Sequence, residues 1–375
     1  MRFLSTVTQA FSGAFFPLVP SLARDDPQLH VERQANLDAL PPVRRAVLIG
    51  IKYAHGPRSV RVSGAHKDVH LTEGLLTESY GFRPEDITIL MDDDEVDDMF
   101  KPTRENITRE LGALVHGAQP GGAYFVLFSG HCEQLEEPES ETGEYEEEDH
   151  LNECLVPMDA IRQQESEADY LDEKNLIVDD EIKSLLVDPI AAVPKARLTT
   201  LFDCCHSCTV LDLCHHRCNR TYSLKSKYRR IRRRLNEAFP ESGKTILALI
   251  EPWTTLALER LYISIPATMK HAKFCDGYCP RINRPEGGNV LCISACKDSQ
   301  LAFGNKKGGS LTRAFVKALK KDSHPVLKDL YRSINAGVYS LVRRSVRLKF
   351  KTASQKPQFS SLSPLNMSET FVLQE

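Results

Sequence analysis

One histidine and one cysteine in this chain could together carry out nucleophilic catalysis at a carbonyl group. His131 follows the dipeptide Ser-Gly at 129–130, and Cys205 lies in the segment DCCHSC at 203–208. A cysteine attacks a carbonyl carbon only as its thiolate, so it needs a base or a cation nearby. Taken singly, each residue is more simply interpreted as a packed histidine or an inert thiol. The pair gains meaning only if the fold places the two side chains together.

Strands that alternate with helices can bring these residues together. Apolar, β-rich runs predict strands at 43–51, 86–91, 123–128, 197–202 and 289–294, with a last edge strand at 358–362. Helical spacing lies between them at 69–76, after Thr103, at 310–320 and at 325–341. This alternation predicts an α/β fold with a mostly parallel sheet and helices on both faces. Because functional residues collect beyond the carboxyl ends of such strands, we expect His131 and Cys205 to be neighbours.

The composition is that of a globular chain and excludes several classes of protein. Of its 375 residues, 41% are hydrophobic and 26% are charged, unlike a disordered or fibrous chain. The net charge of −3 gives no argument for a nucleic-acid or membrane partner. No apolar run reaches the roughly 18 residues of a membrane-spanning helix.

The cysteines and the amino terminus indicate the cellular compartment of the protein. Eleven cysteines, an odd number with several close together, favour a reducing compartment over a disulfide framework. We therefore expect the cytoplasm, with the nucleus as an alternative. Residues 1–42 predict a disordered leader, and a weak targeting signal is the other interpretation.

Together with their neighbours, the two residues resemble the type I metacaspases, caspase-like cysteine peptidases of fungi, plants and protists. The segments SGH at 129–131 and DCCHS at 203–207 carry the resemblance, supported by VDDE at 178–181 and ISACKDSQ at 293–300. It runs from about residue 45 to 367 with a gap at 220–288, and residues 211–220 are similar to those of mushroom-type fungi. The resemblance implies the caspase/hemoglobinase fold, with a six-stranded, mostly parallel sheet.

The resemblance also implies roles for individual residues. Cys205 is the expected nucleophile of a monomeric endopeptidase, and His131 is its general acid and base. The backbone N–H groups of Cys132 and Cys205 are expected to hold the oxyanion. The implied partners are protein or peptide substrates with Arg or Lys at the cleavage site, and no organic cofactor is implied.

Three further residues match the acidic substrate pocket of the family. These are Asp68, Ser129 and Asp203, and the chemistry agrees, because a guanidinium in a partly desolvated pocket needs carboxylates as bidentate acceptors. Without the family, Asp68 would be interpreted as a carboxylate at a helix start.

Calcium activation is a further implication of the resemblance. Asp179, Asp180 and Asp212 match the family's carboxylate ligands, and hard oxygen donors suit Ca²⁺. The fourth position is Asn152, which has a carbonyl oxygen but lacks the negative charge, so we expect weaker binding. A helix cap is the simpler interpretation of Asp179 and Asp180.

The resemblance divides the chain into four regions. They are the leader at 1–42, a large-subunit region at 43–220, a basic connector at 221–288 and a small-subunit region at 289–375. The connector contains Lys and Arg residues that suit self-cleavage. The acidic segment 133–153 is interpreted as a solvated loop, with a cation site as the alternative.

Departures from the family keep other functions open. Cys132 and Cys208 stand where the family has glycines, and Ala65 replaces a pocket cysteine. A catalytically impaired homologue that acts as a scaffold is therefore an alternative. A thiol oxidoreductase built on Cys205-x-x-Cys208 is another. A zinc-binding scaffold would use Cys214 and Cys218 together with Cys275 and Cys279.

Overall fold

A six-stranded sheet forms the centre of the fold. The computed structural model describes residues 43–136, 151–162, 170–204, 210–215, 219, 287–296, 304–346 and 355–373. In chain order, the strands of all the sheets in the described residues are β1 (Arg44–Gly50), β2 (Ile87–Met91), β3 (Ala123–Ser129), β4 (His131–Glu136), β5 (Leu151–Val156), β6 (Ile177–Val178), β7 (Arg197–Asp203), β8 (Asn289–Ser294), β9 (Gly304–Asn305), β10 (Gly308–Gly309) and β11 (Gln358–Ser361). The central sheet has the order β11-β8-β7-β3-β1-β2.

Five strands of this sheet run parallel and only β11 runs antiparallel, on β8 at the edge. The strands predicted from apolar runs are therefore confirmed, with bounds that agree within two residues. The predicted edge strand at 358–362 is confirmed as β11. Strands β3 and β7 lie side by side at the centre, which puts their carboxyl ends next to each other.

Helices cover both faces of the central sheet. They are α1 (Ala65–Tyr80), α2 (Arg104–Val115), α3 (Asp179–Ile182), α4 (Asp188–Ala191), α5 (Ser310–Lys321) and α6 (Leu327–Val346), with a π-helical stretch, Lys183–Val187, between α3 and α4. Alternate residues of each strand face opposite sides. In β1, Val47 packs in one core with Ile107 of α2, whereas Leu48 packs in the other with Leu75 of α1 and Phe315 of α5. The two-sided α/β architecture is confirmed.

Local signals set the helix ends. The Thr103 side chain accepts a hydrogen bond from the Asn106 N–H at 3.2 Å and caps α2, as predicted. Gly81, with φ of 64°, ends α1 in the left-handed conformation that glycine adopts without steric cost. None of the helices in the described residues combines the length and apolarity needed to cross a membrane.

A second, three-stranded sheet corrects the interpretation of the acidic segment. Strands β4, β5 and β6 pair antiparallel, so both ends of 133–153 are strand and not solvated loop. Cys132 lies opposite Leu155 with both side chains buried, which anchors this sheet to the core. The acidic residues between the strands obscured a period-two pattern only a few residues long. His131 consequently begins a strand, only one residue after β3 ends.

The region after residue 288 completes the same sheet as the region before 220. Strand β8 pairs with β7 in parallel from Arg197↔Asn289 to Phe202↔Ser294. The predicted leader at 1–42 and nearly all of the predicted connector at 221–288 lie outside the described residues, so both remain predictions.

Candidate active site

Three predicted pocket residues meet at the carboxyl edge of the central sheet. Ser129 ends β3 and lies opposite Asp203, which ends β7. Asp68 is in the first turn of α1, directly after the loop that follows β1. The Ser129 hydroxyl donates a hydrogen bond to the Asp68 carboxylate at 2.8 Å. All three side chains are buried, with exposed fractions of 1% for Asp68 and 7% for Asp203.

The late part of the chain supplies backbone donors to both carboxylates. The Gly309 N–H lies 2.9 Å from each oxygen of Asp68, and the Thr312 N–H donates to Asp203 at 2.7 Å. Because Thr312 is in the first turn of α5, the positive end of that helix also faces Asp203. The two acids are therefore held by groups from both halves of the chain.

Burial dominates the ionisation of this acid pair. It raises the pKa of Asp68 above the ordinary value of 3.8, and the charge of Asp203 raises it further, against the hydrogen bonds from Gly309 and Ser129. Burial likewise raises the pKa of Asp203, against the backbone hydrogen bond from Thr312. Two buried carboxylates that resist ionisation together form a site that a cation would stabilise.

A hydrogen bond orients the His131 side chain beside the carboxyl edge of the central sheet. Its Nε2 lies 2.7 Å from the Val60 carbonyl oxygen, which can only accept a hydrogen bond, so Nε2 carries the proton. In the neutral ring Nδ1 is then the basic nitrogen. Its imidazole also packs on Tyr53, with ring centroids 4.9 Å apart. This tautomer leaves Nδ1 able to accept a proton from a thiol.

The base and the acids line one cavity of about 190 Å³. Its walls include His131, Asp68, Ser129 and Asp203, with Gly304 and Gly309 from the late part of the chain. A cavity of this size admits the end of a long side chain. It therefore joins a proton acceptor to a pocket lined by two carboxyl groups.

The predicted nucleophile follows this cavity in sequence but lies outside the described residues, as does Cys208. Its neighbour Cys204 is buried and forms a disulfide with Cys132, with Cα atoms 5.7 Å apart. The disulfide thus joins the residue after His131 to the residue before Cys205. The roles of Cys205 and of the predicted oxyanion N–H groups remain predictions.

The predicted calcium ligands lie together near β5 and α3, but they have partners within the protein. Asp179 is buried, and its carboxylate accepts hydrogen bonds from the backbone N–H groups of Glu153 at 3.2 Å and Asp180 at 2.8 Å. Its pKa is raised to about 6 by burial, with smaller contributions from the charges of Asp180 and Asp212. Asp212 forms an ion pair with Lys183.

No group of three or more His, Cys, Asp or Glu side chains among the described residues is arranged to hold a metal ion. The oxygen donors of Asn152, Asp179, Asp180 and Asp212 nevertheless fit calcium chemically. Binding would require them to gather around one point and Lys183 to leave Asp212. Of the cysteines in the zinc interpretation, only Cys214 lies in the described residues, where it is buried.

Several groups at this site were not found from the sequence. The Val60 carbonyl and the Gly309 N–H are backbone groups, and no residue type signals them. The disulfide could have been inferred, because the argument that places His131 beside Cys205 also places Cys132 beside Cys204. Tyr53 carried no signal, since it follows β1 in an ordinary loop.

The sheet order, the two helical layers and the histidine that follows β3 after one intervening residue define a caspase-like α/β protein. Comparisons with known proteins agree. The model of the family "Metacaspase, peptidase C14 domain" matches residues 44–214. "Metacaspase-1" of Botryotinia fuckeliana is 30% identical over 88% of this chain and 70% of its own length. "Metacaspase-1" of Yarrowia lipolytica is 30% identical over 88% of this chain and 64% of its own length.

This chain belongs to the metacaspase family of caspase-like cysteine peptidases, as the resemblance in its sequence predicted. It spans less than two thirds of the length of the Yarrowia lipolytica relative. Among solved structures, it is similar to caspase-1 from Spodoptera frugiperda, with a TM-score of 0.41, 10% identity and coverage of 89% of this chain and 90% of that chain.

Proposed function

We propose that this protein is a cysteine endopeptidase that cleaves peptide bonds after Arg or Lys in protein substrates. The observation that carries the proposal is the buried pair of Asp68 and Asp203 in one cavity with His131. A guanidinium or ammonium group would form charge-assisted hydrogen bonds with this pair. An uncharged side chain would leave buried carboxylates without a cation.

The dyad residues would perform the chemistry in two steps. His131 Nδ1 takes the thiol proton of Cys205, and the thiolate forms a bond with the scissile carbonyl carbon. The C–N bond then breaks as the imidazolium returns the proton to the leaving amine. Water next attacks the thioester, with His131 again as base, and releases the acid and the thiol. The backbone N–H groups of Cys132 and Cys205 would hold the oxyanion.

Calcium stimulation is part of the proposal. Asn152, Asp179, Asp180 and Asp212 would hold Ca²⁺, which supplies positive charge that gathers carboxylates otherwise repelling one another. Asp179 begins α3, and its carboxylate accepts from the β5 residue Glu153. Ion binding would therefore act on the second sheet, whose first strand begins with His131.

Self-cleavage within 221–288 and action as a monomer in the cytoplasm or nucleus complete the proposal. The Lys and Arg residues of that region supply candidate bonds for a peptidase of this specificity.

Hydrolysis of matched fluorogenic peptides that end in Arg or Asp, with and without calcium, tests the proposal. We expect calcium-stimulated release from the Arg peptide, complete loss in Cys205→Ala, and a large rise in KM in Asp203→Asn. An impaired scaffold would hydrolyse neither peptide. A thiol oxidoreductase would instead reduce a disulfide substrate. The peptidase activity and the reductase activity would each depend on Cys205.

A further inference from the structure

Tyr53 is a buried residue of the loop between β1 and α1, with an unusual backbone. Its φ is 52°, a left-handed conformation that residues with a Cβ atom rarely adopt. Its side chain is 3% exposed, and its carbonyl accepts the Gly56 N–H at 3.0 Å in a tight turn. Non-glycine residues persist in such conformations where the surrounding structure requires them, often near functional sites.

The Tyr53 side chain contacts His131 in two ways. Its hydroxyl accepts the His131 backbone N–H at 2.9 Å and donates to the Val156 carbonyl at 2.6 Å. Its ring packs on the imidazole, with centroids 4.9 Å apart and planes inclined by 33°. One side chain therefore fixes both the backbone and the ring of the same histidine.

The Tyr53 hydroxyl lies close to the backbone of residue 130. A Cβ atom at residue 130 would lie 2.8 Å from this hydroxyl, so the glycine before His131 makes room for it. Burial raises the pKa of Tyr53 far above its ordinary value, so the hydroxyl stays protonated and keeps its bond to Val156. Its lone pairs are then directed to the His131 N–H.

The same loop also supplies the acceptor for the imidazole. Val60 accepts from His131 Nε2 at 2.7 Å, and the loop is closed by the Val62 N–H, which donates to the Lys52 carbonyl at 2.9 Å. Tyr53 and Val60 thus hold His131 from two sides. Val60 determines which nitrogen of the ring is basic, and Tyr53 holds the backbone and the ring that orient it.

We propose that Tyr53 is a positioning residue that sets the orientation of the His131 imidazole for proton transfer. This inference rests on the proposed function, in which His131 is the general base. In this role Tyr53 acts through His131, whose backbone and ring it contacts.

Tyr53→Phe tests this role because it removes the hydroxyl and keeps the ring. We expect kcat for the Arg peptide to fall about tenfold or more with KM within twofold, because small misplacements of a catalytic group mainly slow the chemical step. We also expect the His131 imidazole signal in the NMR spectrum, assigned by its loss in His131→Ala, to change its chemical shift. Tyr53→Leu, which removes the ring as well, should give a larger loss of kcat.

Tyr124→Phe is the matched control. Tyr124 is a buried tyrosine of β3 whose hydroxyl also bonds to a backbone group, the Gln119 N–H at 3.0 Å. This variant should keep wild-type kcat and leave the His131 signal unchanged.

Equal effects of both substitutions on kcat and on the His131 signal would show a general packing role and overturn the proposal. So would an unchanged His131 signal in Tyr53→Phe. Because the NMR readout needs no turnover, it tests Tyr53 even if the wild-type protein fails to hydrolyse the peptide, an outcome that would contradict the proposed function instead.

Discussion

The backbone N–H of Gly309 lies 2.9 Å from both carboxylate oxygens of Asp68, although the two residues are 241 positions apart in sequence. This contact places β10 against the start of α1. It stabilises negative charge in a buried position where the pKa of Asp68 is nonetheless raised, because burial outweighs the hydrogen bonds.

The raised pKa values of Asp68 and Asp203 predict pH-dependent binding of cations. Both carboxyl groups keep their protons at pH values above 3.8, the ordinary pKa of an aspartic acid side chain. A cationic ligand must therefore bind more tightly as the pH rises towards neutrality, because the pair then ionises. We expect the Kd of agmatine, measured by calorimetry on Cys205→Ala, to fall by up to about tenfold per pH unit within that range. Removing the thiol excludes the ionisation of Cys205 itself.

Asp203→Asn in the Cys205→Ala background is the control for that titration. It should bind agmatine weakly at every pH. A Kd for the parent protein that does not vary with pH would contradict the interpretation of the acid pair.

Gly309 lies so close to the Asp203 carboxylate that we expect it to tolerate no side chain. Its φ of −66° is available to alanine, but an added Cβ would overlap the Asp203 carboxylate. We expect Gly309→Ala to raise KM for the Arg peptide strongly and to lower the free energy of unfolding by about 1–3 kcal/mol. Peptide kinetics and urea unfolding measure the two effects.

Gly74→Ala is the comparison for that variant. Its added Cβ would lie 3.6 Å from the nearest atom, at the end of the flexible Glu78 side chain. As a change within a helix, it should stabilise the protein by about 0.5–1 kcal/mol and leave KM unaltered. Similar effects of Gly309→Ala and Gly74→Ala would contradict a steric overlap between residue 309 and Asp203.

The ion pair between Lys183 and Asp212 predicts competition with calcium. An ammonium group that neutralises one of the proposed ligands must be displaced before the ion binds. We expect Lys183→Gln to increase calcium affinity by roughly three- to tenfold, as for loss of an interaction of about 1 kcal/mol. Calorimetric titration with calcium, without a peptide substrate, measures this affinity.

Lys174→Gln makes the same change of charge at an exposed position. It should leave calcium affinity nearly unchanged. Equal affinities for Lys183→Gln and the wild type would show that Lys183 does not oppose the ion.

The Cys132–Cys204 disulfide predicts a stability that depends on redox conditions. It closes a loop with a sequence separation of 72 residues, for which the chain-entropy estimate is about 4 kcal/mol. The Tm of the oxidised wild type should exceed that of Cys132→Ser by roughly 5 °C. Excess dithiothreitol should remove most of this difference, because it converts the wild type to a dithiol.

Peptide mapping without reductant provides the direct check on that disulfide. Digestion should yield one cross-linked peptide that contains Cys132 and Cys204. A map in which Cys204 is instead joined to Cys205, or in which both thiols are alkylated under oxidising conditions, would contradict the pairing.

Much of this fold could be predicted because its strands are continuous apolar runs, such as 123–128, which lies between two glycines and a serine. The meeting of Ser129 and Asp203 follows from the same pattern, since both end neighbouring parallel strands. The contact between Asp68 and Gly309 does not follow, because it depends on how α5 packs against α1. The second sheet was missed because β6 has only two residues and the acidic segment hides the alternation in β4 and β5.

The pairing of β7 with β8 has a consequence for any cut between residues 220 and 286. Six residues of each strand pair across the centre of the sheet, and the Thr312 N–H donates to Asp203, so neither contact uses a residue within that range. A nicked molecule should therefore run as two bands under denaturing conditions yet elute as a single species from a sizing column. Scission would remove the covalent connection without separating the fragments, and both fragments would be needed to complete the cavity that Asp68, Asp203 and Gly309 line.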